Sequence, residues 1–170
     1  VTYPQGEHKG IADAQFADLD GDGQPELLVG YWGVVGVQAA TLAGERLWSY
    51  RLIENVTRLA ATEADTRGKR TLLCANGRDF LTPIDAAGKS AEPIAVEGQS
   101  LYAVFTADLD STAGDEICAL GSGEIGSLAA IGISNAGEVL WTHALPVGIH
   151  NQPVEIVSTG KVPSADGSTG

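Results

Sequence analysis

One stretch of sequence recurs three times along this chain of 170 residues. It reads IADAQFADLDGDGQPELLVG from Ile11, VTRLAATEADTRGKRTLLCANG from Val56 and LYAVFTADLDSTAGDEICALGSG from Leu101, so that the three starts lie 45 residues apart. A weaker fourth start, VEIVSTGK, follows at Val154. A regular period of this length predicts repeated supersecondary units that bury their apolar faces against one another.

The ends of the first and third units agree as well. AGERLWSYRL at 43–52 matches AGEVLWTHAL at 136–145, with Trp48 aligned to Trp141, whereas the middle unit offers only AGKSAEPIAV. The first unit also divides into four apolar or alternating runs, which are separated by Asp/Gly, Gly and Ala-Gly turns. These runs are 11–17, 26–32, 34–42 and 45–53. The pattern is typical of four short antiparallel strands.

A period near 45 residues with four strands in each unit is characteristic of a β-propeller blade. Helical periodicity is absent over any useful length, so we predict an all-β fold. We expect a single partial β-propeller over residues 1–170, with about three blades of four antiparallel strands and the start of a fourth. The repeats are placed at 10–54, 55–99, 100–152 and 153–170, the last of them incomplete.

The acidic stretch at residues 17–30, ADLDGDGQPELLVG, resembles the FG-GAP or VCBS repeat of the β-propellers in integrin α-subunit heads and many secreted bacterial proteins. The GExLW segments around Trp48 and Trp141 resemble the blade-closing segment of quinoprotein-like propellers, without its fuller Ala-x-Asp-x-x-Thr-Gly-Lys-x-x-Trp pattern. The resemblance covers roughly residues 10–160. It implies a ring of about seven or eight blades, completed by another part of the parent protein or by another chain.

The acidic loop in the first unit has the spacing of a metal site. When Asp18 is numbered position 1, oxygen donors fall at positions 1, 3, 5, 7 and 9, and Gly23 stands at position 6, where the chain must turn sharply. The donors are the carboxylates of Asp18, Asp20, Asp22 and Glu26 and the carbonyl of Gln24. Ca²⁺ takes about six to eight oxygen ligands, and the loop offers no Cys or His for a softer metal. We therefore predict Ca²⁺ as the cofactor.

Three other interpretations of this loop compete with a calcium site. An EF-hand requires a bidentate Glu at position 12, but that position is Val29, and ELLVGYW reads as a strand rather than a helix. An ordinary solvated Asp-Gly turn remains the alternative, although carboxylates this close together repel one another without a cation. A glycosidase-like pair of Asp18 and Asp20 is disfavoured, because neighbours on one loop do not flank a scissile bond from two sides.

The same loop is altered in the later units. The third unit offers a weaker second calcium candidate, formed by Asp108, Asp110, Thr112, Gly114 and Glu116. In the second unit Arg67 occupies position 5, so that Glu63 and Asp65 are the only acids left, and we expect a side-chain cation to replace the metal there. In the fourth unit position 1 is Lys161, which excludes a metal site.

Composition narrows the possible partners. The chain carries 22 acidic against 10 basic residues, a formal charge of −12, so we expect no nucleic-acid partner. No apolar run reaches the roughly 18 residues of a membrane span.

Two further sequence features have structural interpretations. Cys74 and Cys118 lie in apolar runs, which predicts buried free thiols. GSGEIG at 121–126 fits a dinucleotide-binding pattern, but the alternation after it predicts a hairpin instead of the required helix.

Two hypotheses for function follow. The leading one is a calcium-stabilised, non-enzymatic propeller segment that acts as a scaffold or interaction module, with a protein or glycan as possible ligand. Because such sites fill best where free calcium is high, we expect an extracytoplasmic location, whether periplasmic, cell-surface or extracellular. The alternative is a non-catalytic portion of a propeller enzyme, such as a polysaccharide lyase or a quinoprotein-like oxidoreductase, whose active site lies in other blades.

Overall fold

The computed structural model describes residues 10–108, 114–123 and 127–145. These residues form twelve β-strands and no helix, hence no helix that could cross a membrane. The strands make three sheets of four, and in each sheet neighbours in sequence pair antiparallel. The predicted all-β class with four antiparallel strands per sheet is confirmed.

The first sheet contains β1 (Ile11–Ala17), β2 (Glu26–Tyr31), β3 (Val37–Ala40) and β4 (Arg46–Tyr50). The second sheet contains β5 (Arg58–Ala61), β6 (Leu72–Ala75), β7 (Phe80–Ile84) and β8 (Ile94–Ala95). The third sheet contains β9 (Ser100–Ala107), β10 (Glu116–Ser122), β11 (Leu128–Ile133) and β12 (Val139–Ala144). The three sheets fall within the segments 10–54, 55–99 and 100–152, and the predicted fourth segment, 153–170, lies outside the described residues.

The turn between the last two strands is built alike in all three sheets. Its first residue carries a side-chain oxygen that accepts a hydrogen bond from the backbone N–H four residues later. The pairs are Thr41 with Glu45, Asp85 with Lys89 and Ser134 with Glu138. The fourth residue is always a glycine with positive φ, namely Gly44, Gly88 and Gly137. Short polar side chains and glycine suit such turns, which is why these sequences end one strand and start the next.

The first strands of the three sheets lie beside one another, with β5 between β1 and β9. The backbone N–H of Leu59 donates to the Asp13 carboxylate over 2.8 Å, and Arg58 lies 3.6 Å from the same carboxylate. On the other side, the Thr106 hydroxyl donates to the carbonyl of Ala61 over 3.0 Å. Polar side chains thus tie each first strand to the next.

The second sheet is buried on both faces. In β6, Leu72 and Cys74 pack into a core shared with the first sheet, while Leu73 and Ala75 pack into a core shared with the third sheet. Because successive side chains in a strand point to opposite faces, a strand between two sheets must be apolar throughout, and LLCA is. The sheets are therefore stacked in chain order.

Three details refine the sequence predictions. The third strand begins at Val37 instead of 34, because Gly33 and Gly36 have positive φ and make a turn in which the Tyr31 N–H donates to the Gly36 carbonyl. Both cysteines are free and buried, as predicted. The glycine-rich segment that begins at Gly121 is followed by β11, a strand, so the predicted hairpin is confirmed against the nucleotide site.

The two aligned tryptophans behave differently. Trp48 packs into the core between the first two sheets, where a Cβ on Gly88 would come within 2.8 Å of its ring. Trp141 instead covers Gly132, its cross-strand neighbour, on the face of the third sheet that points away from the second. Trp48 therefore packs between two sheets, while the described residues give Trp141 no second sheet to pack against.

Candidate metal centre

The loop between β1 and β2 gathers four carboxylates. One oxygen from each lies within 4.8 Å of the others; the residues are Asp18, Asp20, Asp22 and Glu26. Residues 20–25 are exposed, whereas Glu26, the first residue of β2, is buried. The predicted acidic donors therefore come together in one place, at the point where the chain enters the second strand.

Backbone hydrogen bonds wrap the loop around its first acid. The Asp18 carboxylate accepts from the N–H groups of Gly21 over 2.8 Å, Asp22 over 3.2 Å and Gly23 over 2.9 Å. Asp20 accepts from the Asp22 N–H over 3.1 Å. Asp side chains favour such local turns because their carboxylate reaches the amides that follow. The alternating Asp residues thus curl the chain so that their side chains converge.

Glu26 holds the far end of the loop. Its Oε2 accepts a hydrogen bond of 2.8 Å from the backbone N–H of Leu19, whose side chain is buried in the core between the first two sheets. Burial raises the pKa of Glu26; the Leu19 hydrogen bond lowers it, and the nearby carboxylates, Asp20 foremost, raise it again. A buried anion next to three others is the situation that a bound cation relieves.

The remaining predicted ligands stand as follows. Gln24 lies on the exposed part of the loop and its N–H donates to Asp22 over 2.7 Å, while its carbonyl as a ligand stays a prediction. In the second candidate, Asp108 follows β9 and is exposed, Gly114 has positive φ, and Glu116 opens β10 and is buried. Asp110 and Thr112 lie outside the described residues, so that site also stays a prediction.

The equivalent loop of the second sheet contains a positively charged side chain, that of Arg67. The Asp65 carboxylate accepts from the N–H groups of Lys69 and Arg67, and the Arg67 guanidinium lies 3.2 Å from it. These backbone hydrogen bonds, with the Arg67 side chain, hold the pKa of Asp65 below its usual value. The predicted side-chain cation is therefore present in this loop, and its replacement of a metal stays a prediction.

Sequence reasoning missed that the first two loops touch. The Arg70 N–H donates to the Leu19 carbonyl over 3.1 Å, and a Cβ on Gly21 would lie 3.0 Å from the backbone of Arg67 and Gly68. Asp20 and Arg67 line the same open cleft of about 770 Å³, which also reaches the turns at Ala86 and Asn135. Gly21 and Gly68 stand at positions 4 and 6 of their loops, so the alignment of the repeats gave no signal of this contact.

The donor set is restricted to oxygen. The four converging groups are carboxylates, which suit hard cations, and together they form one cradle that could hold a metal ion. Glu26 and Leu19 connect this cradle to the buried core.

Comparison with known proteins adds little. No family model and no curated protein matches the sequence. Among solved structures, the chain is similar to the crystal structure of a protein of unknown function from Bacteroides caccae, with 15% sequence identity and a TM-score of 0.47 over 81% of this chain. The chain spans 47% of that protein, about half its length.

Proposed function

We propose that this chain is a calcium-stabilised, non-enzymatic segment of a β-propeller that serves as a scaffold or interaction module of a larger extracytoplasmic protein. The observation that carries the proposal is the convergence of four carboxylates on the loop between β1 and β2. The ligand would be a protein or a glycan held by the assembled propeller.

Calcium is favoured over other cations by the nature of the cradle. Carboxylate oxygens on an exposed, backbone-wrapped loop can supply many ligands with irregular geometry, which Ca²⁺ accepts, whereas Mg²⁺ requires a near-ideal octahedron and retains several waters. Sites of this kind fill best where free calcium is abundant. An extracytoplasmic home follows from that requirement.

A bound cation would raise the free energy of unfolding. Glu26 joins the loop to β2, Leu19 places it against the core, and Gly21 contacts the second sheet. A cation bound to the folded loop and released on unfolding adds its binding free energy to the free energy of unfolding. The site would therefore strengthen both the first hairpin and its packing on the second sheet.

The propeller assignment rests on how the sheets follow one another. Each is a four-stranded meander, each packs face to face on the next, and the first strands lie side by side. Radial repetition of four-stranded sheets is the propeller design, in which the first strands line the central channel. Further sheets, from elsewhere in the parent protein or from another chain, would complete the ring.

One class of enzyme, that with a cysteine nucleophile, is disfavoured by the state of the thiols. Burial raises the pKa of both cysteines: that of Cys118 to about 11, with Glu116 contributing, and that of Cys74 further still. Thiolate is the nucleophilic form of cysteine, so a raised pKa argues against either thiol as a nucleophile at neutral pH.

Thermal unfolding of the purified chain in EDTA, in millimolar calcium and in millimolar magnesium tests the proposal. At calcium about 100-fold above Kd, binding adds about 2.7 kcal/mol, which corresponds to a rise in Tm of about 5–10 °C. Asp20→Ala should abolish this rise. Arg67→Ala is the matched control in the neighbouring loop and should keep it, since Arg67 pairs with Asp65 instead of belonging to the cradle.

Two outcomes would contradict the proposal. Equal calcium responses in the wild-type chain and in Asp20→Ala would remove the loop as the binding site. Equal responses of the wild-type chain to calcium and magnesium would remove the calcium selectivity on which the extracytoplasmic location depends.

A further inference from the structure

The first and third sheets each turn one face away from the second sheet. In the third sheet, the cross-strand pairs that face away from the second sheet alternate with pairs that pack on it. This outer face of the third sheet includes Phe105, Cys118, Leu120, Ala130, Trp141 and His143, with the buried Glu116 on the same face at the start of β10. The outer face of the first sheet includes Ala14, Phe16, Leu27, Val29, Gln38 and Ser49. Phe16 is 67% exposed.

These two outer faces are the complementary halves of a packing that already occurs inside the chain. Cys118 corresponds by the 45-residue period to Leu28, whose face packs on the second sheet. Leu27 and Val29 correspond to Leu72 and Cys74, whose face packs on the first sheet. The outer face of the third sheet thus matches the face with which the first sheet packs on the second. The outer face of the first sheet matches the face with which the second sheet packs on the first.

In two places a turn glycine packs on the fourth strand of the preceding sheet. The turn glycine Gly88 of the second sheet packs on Trp48, which lies on the fourth strand of the first sheet. The turn glycine Gly137 of the third sheet packs on Ile94 in β8, where a Cβ would lie 3.5 Å from the Ile94 side chain. Trp141 on β12 is the fourth-strand residue of the third sheet that corresponds to Trp48 and Ile94. The turn that matches Gly88 and Gly137 on the first sheet is the one at Gly44.

We propose that the chain self-associates head to tail, with the outer face of the third sheet of one copy bound to the outer face of the first sheet of the next. Trp141 then packs on the turn at Gly44 of the second copy. A second copy is the occupant because its first sheet carries the surface that continues the existing packing. The inference rests on the stacking order used in the proposed function, and it is independent of the cation.

Charge and symmetry shape this association. Glu116, which is buried, is the one acid among the residues named on the two faces, and none of them is a lysine or an arginine, so apolar burial drives contact while the net charge of −12 opposes it at long range. Raising the salt concentration should therefore strengthen binding. Because the two faces differ, the contact is heterologous, and a dimer retains one free face at each end for a further copy or for ring closure.

The test is sedimentation velocity of the full chain from micromolar to millimolar concentration at high salt. The wild-type average mass should rise with concentration beyond that of a dimer. Phe16→Asp and His143→Asp each place a carboxylate in one face and should raise the dissociation constant at least about 100-fold. Both residues are exposed, so the variants should fold, which circular dichroism checks. Leu52→Asp, at a residue 87% exposed outside both faces, is the matched control and should associate like the wild-type chain.

A mixture of the two variants decides between head-to-tail and symmetric pairing. Phe16→Asp retains the third-sheet face and His143→Asp retains the first-sheet face, so the mixture should form a one-to-one dimer and no larger species. A wild-type chain that stays monomeric, a Phe16→Asp variant that still dimerises alone, or a mixture that does not pair would each overturn the inference. Repeating the runs in EDTA separates it from the calcium proposal, since association should persist there.

Discussion

Glu26 combines burial with charge repulsion more than any other acid of the first loop. It is a charged group at the start of a buried strand, 8% exposed, and it faces three other carboxylates. Sequence spacing predicted it as a ligand because oxygens at alternate positions are a local pattern. Its burial and its hydrogen bond to Leu19 were beyond prediction, because both depend on how the first sheet packs on the second.

Replacing Glu26 with Gln separates charge from hydrogen bonding. The Gln carbonyl can still accept from the Leu19 N–H, but the variant lacks one of four mutually repelling charges. In EDTA we expect Glu26→Gln to unfold at the wild-type temperature or about 2–4 °C above it, equivalent to roughly 1 kcal/mol. In calcium we expect a smaller rise in Tm than in the wild-type chain. Calorimetry in both buffers measures this, and a large destabilisation in EDTA would show that the charge itself is needed for folding.

At the scale of elements, the loops are as important as the strands. The strand limits of the first hairpin were predictable because Asp/Gly turns and alternating runs are local signals. The contact between the first two loops was not, since it joins segments in different sheets. The middle sheet was also predicted less fully: β8 has two residues and no tryptophan, and Ile94 takes the contact that Trp48 makes in the first sheet.

Two glycines of the first loop provide a matched pair for testing the contact between loops. Gly21 and Gly23 have φ of 80° and 87°, so alanine is strained at both, at a cost of about 1 kcal/mol. A Cβ at Gly23 meets nothing within 4 Å, whereas at Gly21 it meets the backbone of Arg67 and Gly68. Gly21→Ala should therefore be less stable than Gly23→Ala by a further 1–2 kcal/mol or so in urea unfolding. If both variants lose the same free energy of unfolding, the second loop moves aside for the Gly21→Ala methyl group at no cost.

At the scale of the whole molecule, the 45-residue period predicted the three sheets that the described residues form, but not which of their faces meet. Cys118 and Cys74 illustrate the difference, because both look like small apolar residues in similar runs. Cys74 lies between two sheets, while Cys118 lies on the outer face of the third. Only the stacking order distinguishes them, and that order results from long-range packing which no local pattern encodes.

The stacking order predicts a gradient of local stability across the molecule. Amide hydrogens in β6 should exchange most slowly, because the strand is hydrogen-bonded on both sides and its four residues are buried on both faces. The fourth strands β4 and β12 pair on one side within their sheets and have mostly exposed side chains, so their amides should exchange much faster. Hydrogen–deuterium exchange with mass spectrometry in EDTA measures this order without a contribution from the cation. If β10 outlasts β6, the third sheet rather than the second is the stable centre, and stacking on two faces does not determine local stability in this chain.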